Sequence, residues 1–292
     1  MTATLVYNLS AGYENRSLEE LMRLASLFVW KPRPVSSDDD QLEEVLAEAG
    51  DCVVVAGGDG TVAKVALALR GKAVPIAILP TGGSNNIARF LDLTASPEKI
   101  AAGLGDSRTV PLDIGLAEGA WGSARFVEAA GLGALTEALC GEHGDAGNTE
   151  EKLAVGRAAL RDTLMREEAC NYRFAIDGQE VRERLALLEV LNIASIGPQL
   201  ELAPEAHPGD SLLHVVSLSP EERPRFLRWL DKPAGAAPVT VRPAREVRIE
   251  AAPDRVRIDD PKRTRSREGK PVRLTLDRAR AEILVPAAKE QT

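Results

Sequence analysis

Apolar and polar positions follow two different rhythms along this chain of 292 residues. In the first part, short runs that are apolar on both faces alternate with stretches whose apolar residues recur at helical spacing. The runs cover residues 3–7, 52–57 and 73–80. Strands of this kind are typical of a parallel sheet covered by helices on both faces. The pattern therefore predicts an α/β domain over residues 1–115.

Helical spacing is clearest over residues 17–29, 42–49 and 62–70. Ser17 and Glu20 have the spacing of a capping box, which predicts that the first of these helices begins at Ser17. Residues 31–40, KPRPVSSDDD, combine prolines and acidic residues, so we expect a loop there.

The rhythm changes after residue 115, where short β-like runs follow one another between turn signals such as Asp177-Gly178 and Pro208-Gly209-Asp210. One helical stretch, at about 149–167, interrupts them. Short strands separated by turns are typical of an antiparallel sandwich. We therefore predict a β-rich, sandwich-like second domain over residues 116–278, with residues 279–292 returning to the first domain.

The composition is that of an ordinary globular protein, with 44% hydrophobic and 27% charged residues. A net charge of −8 argues against nucleic acid as a partner, because phosphate backbones favour basic surfaces. The first residues have no pattern of a secretory signal, and no apolar run approaches the roughly 20 residues of a membrane span. We therefore expect a cytoplasmic protein.

Residues 57–61, Gly-Gly-Asp-Gly-Thr, follow an apolar strand and precede a predicted helix. Glycines leave backbone N–H groups unshielded, and the N-terminus of a helix favours anions, so such a turn is able to bind phosphate. Asp59 would repel phosphate unless it holds Mg²⁺ or positions a reacting hydroxyl group. Taken alone, a tight turn with a capping aspartate is an equally good interpretation.

A second glycine turn, residues 81–86, follows the next apolar strand and also precedes a predicted helix. The carboxyl ends of neighbouring parallel strands meet at one edge of a sheet, where ligands of open α/β folds bind. Two such turns favour phosphate binding over coincidence. The chain has neither the P-loop motif nor the Rossmann glycine motif, so the predicted site is of another type.

Four segments in this order resemble the diacylglycerol kinase catalytic-domain family, which includes bacterial lipid kinases and sphingosine kinases and is distantly similar to NAD kinases. The segments are residues 8–12 (NLSAG), 57–61 (GGDGT), 80–89 (PTGGSNNIAR) and 112–115 (LDIG). The family patterns are N-P-x-S-G, G-G-D-G-T, P-x-G-T-x-N-D-x-A-R and V-D-I-G. Residues 203–219 and 255–260 resemble later family segments, D-D-G-x-x-D-V and a strand that ends in D-G-E.

The resemblance implies ATP-dependent phosphorylation of an alcohol, usually a lipid, by an NAD kinase-like first domain and a second domain with the active site in the cleft. It also implies a Mg²⁺ network of Asp59, Asn86 and Asp113, and a structural Mg²⁺ at Asp210. From the residues alone, Asp113 is equally well interpreted as a turn carboxylate, and for Asp210, which follows Pro208-Gly209, a plain turn is the better interpretation. The residues that the resemblance assigns to the nucleotide are Asn8, Gly57, Gly58, Gly60, Thr61, Gly82, Gly83, Ser84 and Asn85.

The chain departs from the family patterns at four places. Leu9 replaces a proline, Gly83 replaces a threonine or serine, and Asn86 replaces an aspartate. Where the family has D-G-E, whose glutamate is the expected general base, this chain has residues 259–261, Asp-Asp-Pro. The candidate bases that remain are Asp259, Asp260 and Glu268. For most of residues 259–270, a solvated charged loop is the alternative interpretation.

Three hypotheses follow from these motifs. The first is an ATP- and Mg²⁺-dependent lipid kinase, cytoplasmic with transient contact at the inner membrane face. The second is a member of the family that has lost catalysis and binds nucleotide or lipid. The third is an NAD kinase-like enzyme with a soluble acceptor. A homodimer is left open by the sequence.

Overall fold

The structure is a computed structural model that describes residues 2–12, 16–141, 147–251 and 255–287, with only the backbone at Trp30, Cys140, Ala251 and 260–266. The chain divides into two units. Unit 1 is Met1–Leu112 with Ala279–Thr292, and unit 2 is Asp113–Arg278.

Unit 1 contains a six-stranded sheet in the order β2-β1-β3-β4-β20-β5, and all neighbouring strands are parallel except β20 and β5. The strands are Thr2–Tyr7 (β1), Trp30–Ser36 (β2), Cys52–Gly57 (β3), Ile76–Pro80 (β4), Ser107–Leu112 (β5) and Ala281–Pro286 (β20). The helices are Leu18–Ala25 (α1), Leu42–Ala47 (α2), Asp59–Leu69 (α3), Asn86–Phe90 (α4) and Pro97–Gly103 (α5).

The local signals of unit 1 explain most of these elements. Every residue of β3 is buried, as its continuous apolar run predicts. The Ser17 hydroxyl accepts the Glu20 N–H at 3.1 Å, so the predicted N-cap of α1 is confirmed, although the helix ends at Ala25. The loop predicted at 31–40 is wrong over its first half, because these residues form β2. Pro32 and Pro34 are tolerated there because β2 is an edge strand that pairs only with β1.

Unit 2 contains two six-stranded sheets, in the orders β10-β9-β16-β19-β6-β7 and β15-β14-β11-β8-β17-β18, and a short β12-β13 ribbon. The strands are Gly115–Gly119 (β6), Gly122–Phe126 (β7), Ala129–Gly133 (β8), Cys170–Ile176 (β9), Gln179–Leu185 (β10), Leu187–Leu191 (β11), Ser195–Ile196 (β12), Leu200–Glu201 (β13), Leu213–Leu218 (β14), Thr240–Ala244 (β15), Glu246–Ala251 (β16), Arg255–Ile258 (β17), Asp260–Ser266 (β18) and Val272–Leu276 (β19). The helices are Ala134–Cys140 (α6), Thr149–Arg166 (α7) and Arg223–Asp231 (α8).

The core of unit 2 is built from apolar side chains of both sheets, including Phe126, Phe174 and Leu188, as the predicted sandwich requires. Helix α7 confirms the helix predicted at about 149–167, whereas α8 is not evident in the apolar pattern. Residues 260–266, part of the stretch given the alternative interpretation of a charged loop, form the edge strand β18. The predicted fold class, an α/β domain followed by a β-sandwich domain, is confirmed.

Candidate functional site

Three turns of unit 1 follow the carboxyl ends of the adjacent parallel strands β1, β3 and β4. We call residues 8–12, 57–61 and 81–86 the glycine edge. The backbone N–H of Asn8 donates to the Ala56 carbonyl at 3.0 Å, and that of Thr81 donates to the Gly57 carbonyl at 3.1 Å. The two glycine turns that the sequence analysis places at one edge are therefore brought together, with the turn after β1 beside them.

The backbones of these turns approach one another so closely that side chains are excluded. A Cβ added at Gly82 would lie 2.4 Å from the Gly58 Cα, and one added at Gly12 would lie 2.1 Å from the Thr81 carbonyl oxygen. Gly12 also has a φ of +76°, a conformation that glycine adopts without strain. The fold itself therefore explains glycine at positions 12 and 82, and a Cβ at Gly58 would be tight, at 3.2 Å from the Gly82 Cα.

Packing within the described residues does not explain Gly60. A Cβ added there would meet none of their atoms within 4 Å, and the residue is exposed. Gly60 lies in the first turn of α3, whose N-cap Gly58 offers no side-chain hydrogen bond. The N-terminus of a helix carries partial positive charge and unpaired amides. The first turn of α3 is therefore left open for an anion.

The polar side chains of the glycine edge mostly shape the turns. The Asn85 side chain accepts the Gly82 N–H at 3.0 Å and donates to the Gly82 carbonyl at 2.8 Å. The Asn8 side chain accepts the Ser10 N–H at 2.9 Å. Gly83 and Ser84 lie inside the same turn as Asn85 and are partly buried. These contacts form a cradle whose inner surface is mainly backbone.

Two threonines of the glycine edge differ in how their hydroxyl groups are placed. Thr61 is buried, and its side chain lies against Gly57, where an added Cβ would come within 2.6 Å of the Thr61 Cβ. The Thr81 Oγ1 is also buried and has no hydrogen-bond partner among the described residues. Thr81 is absent from the sequence-based assignments, although its place before two glycines was a usable signal. An unsatisfied hydroxyl in a cradle suits a ligand.

Asp59 connects the two glycine turns. Its carboxylate accepts the Ile87 N–H at 2.9 Å and is also hydrogen-bonded by the amides of Asn85 and Asn86 at the start of α4. Burial raises the pKa of the Asp59 carboxyl, and these amides oppose that rise. Asn86 itself is buried. Asp59 is therefore a capping aspartate, but of the neighbouring turn, and it holds the second turn against the first.

A fourth segment of the same edge is missed by the sequence analysis. The Ser37 N–H, just after β2, donates to the Tyr7 carbonyl at 2.8 Å, and Lys64 of α3 donates to the Ser37 carbonyl. The start of the segment after β2 therefore lies beside the end of β1. The signal that could have found it was the Val35-Ser36-Ser37 sequence, read as the end of a strand.

In unit 2, Asp113 lies at the centre of a cluster of hydrogen bonds that includes the buried Asn192 side chain. Its carboxylate accepts the Ser211 N–H at 3.1 Å, and its carbonyl accepts the Asn192 side chain at 2.7 Å. The same Asn192 side chain donates to the Val127 carbonyl at 2.8 Å. Asn192 was not predicted. It joins the segment after β5, the segment between β7 and β8, and the end of β11.

Asp210, proposed from the family pattern as a Mg²⁺ ligand, is engaged in its own turn. Its carboxylate accepts the His207 N–H at 3.0 Å and the Leu212 N–H at 2.9 Å, and it contacts the His214 Nε2 at 3.1 Å. Burial acts to raise the pKa of Asp210, but these hydrogen bonds outweigh it and hold the pKa below its usual value. The geometry is that of a structural turn carboxylate.

The Asp259 carboxylate accepts more backbone hydrogen bonds than that of Asp210. Its carboxylate accepts the N–H groups of Val127, Glu128 and Ala129 at 2.7, 2.8 and 3.1 Å. Its φ is +55°, and its own N–H donates to the Ala129 carbonyl at 2.8 Å. A carboxylate directed at three amides holds backbone in place and has little capacity left to accept a proton from a substrate.

The other two candidate bases lie at opposite ends of β18. The side chain of Asp260 lies outside the described part of the structure. Glu268 is exposed, with a φ of +50°, in the turn after β18. At about 3.3 Å per residue of strand, β18 separates the two by roughly 20 Å. The structure therefore does not bring Glu268 to Asp259 and Asp260.

Across residues 2–12, 16–141, 147–251 and 255–287, no three side chains of His, Cys, Asp or Glu converge in a way that could hold a metal ion. Over the same ranges, no helix has the length and hydropathy needed to cross a bilayer.

The fold of the whole chain is shared with solved structures of low sequence identity. A diacylglycerol kinase from Bacillus anthracis superposes with a TM-score of 0.69 at 18% identity, over 98% of this chain and 97% of the other. An NAD kinase from Archaeoglobus fulgidus in complex with ATP gives a TM-score of 0.56 at 17% identity, over 98% and 94%. At these identities the likeness shows the fold alone.

Two family models match most of the chain. The diacylglycerol kinase catalytic domain matches residues 2–117, and the YegS C-terminal NAD kinase beta sandwich-like domain matches residues 130–262. A diacylglycerol kinase of Mycobacterium tuberculosis is 29% identical over 196 residues, which are 64% of this chain. The match spans 61% of that relative's length. This chain belongs to the diacylglycerol kinase catalytic-domain family.

Proposed function

We propose that this protein is an ATP-dependent lipid kinase, which transfers the γ-phosphate of ATP to a lipid hydroxyl group. The observation that carries the proposal is the glycine edge. Three turns meet there so closely that a Cβ at Gly82 would lie 2.4 Å from the Gly58 Cα, and Gly60 has no packing reason to be glycine. A backbone cradle at the N-terminus of a helix suits the phosphates of a nucleotide.

Nucleotide binding is assigned to unit 1. The amides of Gly58 and Gly60 at the start of α3 would bind phosphate oxygens. Gly57 makes room for the Thr61 side chain, and the Thr61 amide itself donates to the Gly58 carbonyl at 3.0 Å. Asn8 and Asn85 would act by shaping their turns, because their side-chain amides are hydrogen-bonded within them. Gly82, Gly83 and Ser84 would form the opposite wall, with the unpartnered Thr81 hydroxyl as an additional donor.

Mg²⁺ would enter with ATP, because kinase sites hold this ion through one or two carboxylates, substrate phosphates and water. Asp59 is the carboxylate of the glycine edge, with Asn86 beside it; because it already accepts the amides of Asn85, Asn86 and Ile87, it would meet the ion through coordinated water. For Asp113 a metal role stays a prediction from the resemblance. The ion would neutralise charge on the β- and γ-phosphates. Asp210, whose oxygens accept the amides of His207 and Leu212, is assigned to its own turn and not to the ion that enters with ATP.

Removal of the acceptor proton is assigned to unit 2. Asp259 is excluded from our mechanism because three amides occupy its carboxylate. Glu268 is excluded because the length of β18 separates it from this region. Asp260 remains as the proton acceptor, and a positioned base contributes typically 10²–10⁴-fold to a rate.

A second candidate function is a nucleotide- or lipid-binding protein without turnover. It is favoured by two features, the occupied carboxylate of Asp259 and the proline at position 261, where the family pattern has glutamate. The third hypothesis, an NAD kinase-like enzyme, draws support only from the fold, and we rank it last. Contact with the inner membrane face, a cytoplasmic location and a homodimer stay predictions.

The test is incubation of the purified protein with labelled ATP, Mg²⁺ and a panel of diacylglycerol, sphingoid base and phosphatidylglycerol, with NAD as a further acceptor. We expect one lipid to become labelled and Asp59→Ala to abolish the labelling. ATP binding by calorimetry without labelling of any acceptor would overturn the kinase proposal in favour of the binding protein. Labelling of NAD alone would favour the third hypothesis.

A further inference from the structure

An ion pair is completely enclosed in unit 2. The Arg257 guanidinium on β17 donates to the Glu189 carboxylate on β11 at 2.6 Å, and the two side chains are 1% and 0% exposed. Arg257 is the largest fully buried side chain of the described residues. None of the residues that we assign to the nucleotide, metal or base takes part in this pair.

The pair crosses strand β8, which lies between its two partners. Gly131 of β8 is in register with Glu189 on one side and with Arg257 on the other. A Cβ added at Gly131 would lie 2.1 Å from both carboxylate oxygens of Glu189. Because Gly131 has no side chain, the two charged groups meet directly above its backbone.

Stability alone gives a poor account of this arrangement. Taking two charges out of water is costly, and apolar residues of similar volume are often at least as stabilising as a buried ion pair. The Glu189 Oε1 and the Arg257 Nε have no hydrogen-bond partner among the described residues, so the pair is not fully satisfied. The further hydrogen bond that Arg257 makes to the backbone explains the pair better.

The Arg257 guanidinium also binds the backbone at Asp259. Its other terminal nitrogen donates to the Asp259 carbonyl at 2.7 Å. Asp259 lies at the corner between β17 and β18 in the left-handed region, where a residue with a Cβ is strained. We call Asp259 with Val127, Glu128 and Ala129 the Asp259 corner. Its backbone and carboxylate bonds, including the one from Arg257, fix the direction in which the chain leaves β17.

Asp260 follows the Asp259 corner directly, and the peptide carbonyl held by Arg257 belongs to the bond between Asp259 and Asp260. We infer that Arg257 and Glu189 are positioning residues, which fix this peptide and thereby the backbone that carries the proposed base, Asp260. The inference rests on the proposed function, because it takes Asp260 as the base. It adds two residues, 68 positions apart in sequence, that act on the reaction without touching substrate.

The test is the double variant Glu189→Leu with Arg257→Met, which removes both charges and keeps the volume apolar. Its control is Glu246→Gln with Arg273→Gln, which removes an exposed ion pair from the other sheet of unit 2. Two quantities are measured. Amide hydrogen exchange reports on residues 127–129 and 259, and steady-state kinetics report kcat and the KM for ATP.

We expect exchange at the Asp259 corner to become at least tenfold faster in the double variant, while the β9-β10 hairpin keeps its rate. We expect kcat to fall at least tenfold with a KM for ATP within twofold of wild type, because a misplaced base affects the chemical step. A loss confined to general stability would instead speed exchange throughout unit 2 and leave kcat of the folded protein unchanged.

Either quantity within twofold of wild type, in a folded double variant, would overturn the inference. If the double variant does not fold, Glu189→Gln decides, since it keeps the shape and an acceptor oxygen for Arg257 while removing the charge. Glu189→Gln should speed amide exchange at the Asp259 corner at least threefold, and an unchanged exchange rate would overturn the inference. Absence of kinase activity in the wild type would refute the proposed function, whereas the exchange measurement would still test the hold of Arg257 on the corner.

Discussion

The glycine edge of unit 1 and the Asp259 corner of unit 2 both match family motifs, and in both the polar side chains hold backbone, but only the glycine edge leaves backbone amides without a side-chain partner. At the glycine edge, side chains fold back to shape the turns, and the amides at the start of α3 have no side-chain cap. At the Asp259 corner, the motif carboxylate accepts three backbone amides and is bound within the protein.

A motif match by itself therefore does not distinguish a ligand-binding residue from a structural one. Gly60 matches its motif and has no structural reason to be glycine, which points outward to a ligand. Asp259 matches its motif and is explained by the backbone that it holds. The contacts of each residue decide between the two interpretations.

The largest effect is expected at the contact between the two glycine turns. Gly82→Ala would place a Cβ 2.4 Å from the Gly58 Cα, so the turns must separate. We expect ATP affinity to fall at least 100-fold by calorimetry, with a loss of roughly 1–3 kcal/mol in the free energy of unfolding. Gly58→Ala, whose Cβ would lie 3.2 Å from the Gly82 Cα, should have a smaller effect. Equal affinity in all three proteins would mean that the contact does not form the nucleotide site.

At the Asp259 corner we expect the reverse, a loss of stability without loss of ATP binding. Asp259→Asn replaces one acceptor oxygen by an amide group that faces backbone N–H donors. The free energy of unfolding should fall by about 2–3 kcal/mol in urea titrations. Asp162→Asn, at an exposed position of α7, should change it by less than about 0.5 kcal/mol. An Asp259→Asn protein as stable as wild type would show that the corner is not a structural element.

The buried Glu189 gives unit 2 a stability that depends on pH. Burial raises the pKa of Glu189 to about 7 from the ordinary value of 4.5, and Arg257 opposes this rise. The folded state therefore binds the Glu189 proton more tightly than the unfolded state does. The stabilisation that follows from this difference is fully present below about pH 4.5 and is lost as the pH rises through 7.

The difference in unfolding free energy between wild type and the Glu189→Leu, Arg257→Met variant should therefore decline between pH 5 and 8. The expected decline is on the order of 1–3 kcal/mol. It is measured by urea unfolding at a series of pH values. A difference that stays constant over this range would contradict the assigned titration of Glu189.

The smallest effect is expected for Mg²⁺ at Asp210. Since its oxygens accept the amides of His207 and Leu212, adding Mg²⁺ to the nucleotide-free protein should shift the unfolding temperature by no more than about 1 °C relative to a chelator. If Mg²⁺ instead raises the unfolding temperature by several degrees in a saturable way, and Asp210→Asn removes that rise, Asp210 is a ligand of a structural metal. Asp210 would then be a ligand-binding residue and not a turn carboxylate.

Much of the fold is predictable from local patterns, because continuous apolar runs and helical spacing report burial directly. The strands β1, β3 and β4 and the helix α7 are of this kind. Strand β2 was missed because its prolines and charges are tolerated only at a sheet edge, which is a property of the whole sheet. Strand β18 was obscured by its charged composition, and it too is an edge strand.

The site shows the same division. The proximity of the two glycine turns follows from the order of parallel strands and was predictable. The roles of Asn192, Arg257 and Glu189 were not, because their partners are 65 to 79 positions away in sequence. No local pattern specifies such contacts. The need for glycine at position 131, between Glu189 and Arg257, is evident only once β8 is known to lie between β11 and β17.

ATP titration of Gly60→Ala beside Gly105→Ala decides whether the glycine edge binds the nucleotide. An added Cβ meets no described atom within 4 Å at either position, and both lie in unit 1. Both variants should therefore fold with wild-type stability or slightly above it. We predict that Gly60→Ala loses at least tenfold in ATP affinity while Gly105→Ala binds as wild type does. Equal ATP affinity in the two variants would contradict the assignment of the glycine edge as the nucleotide site.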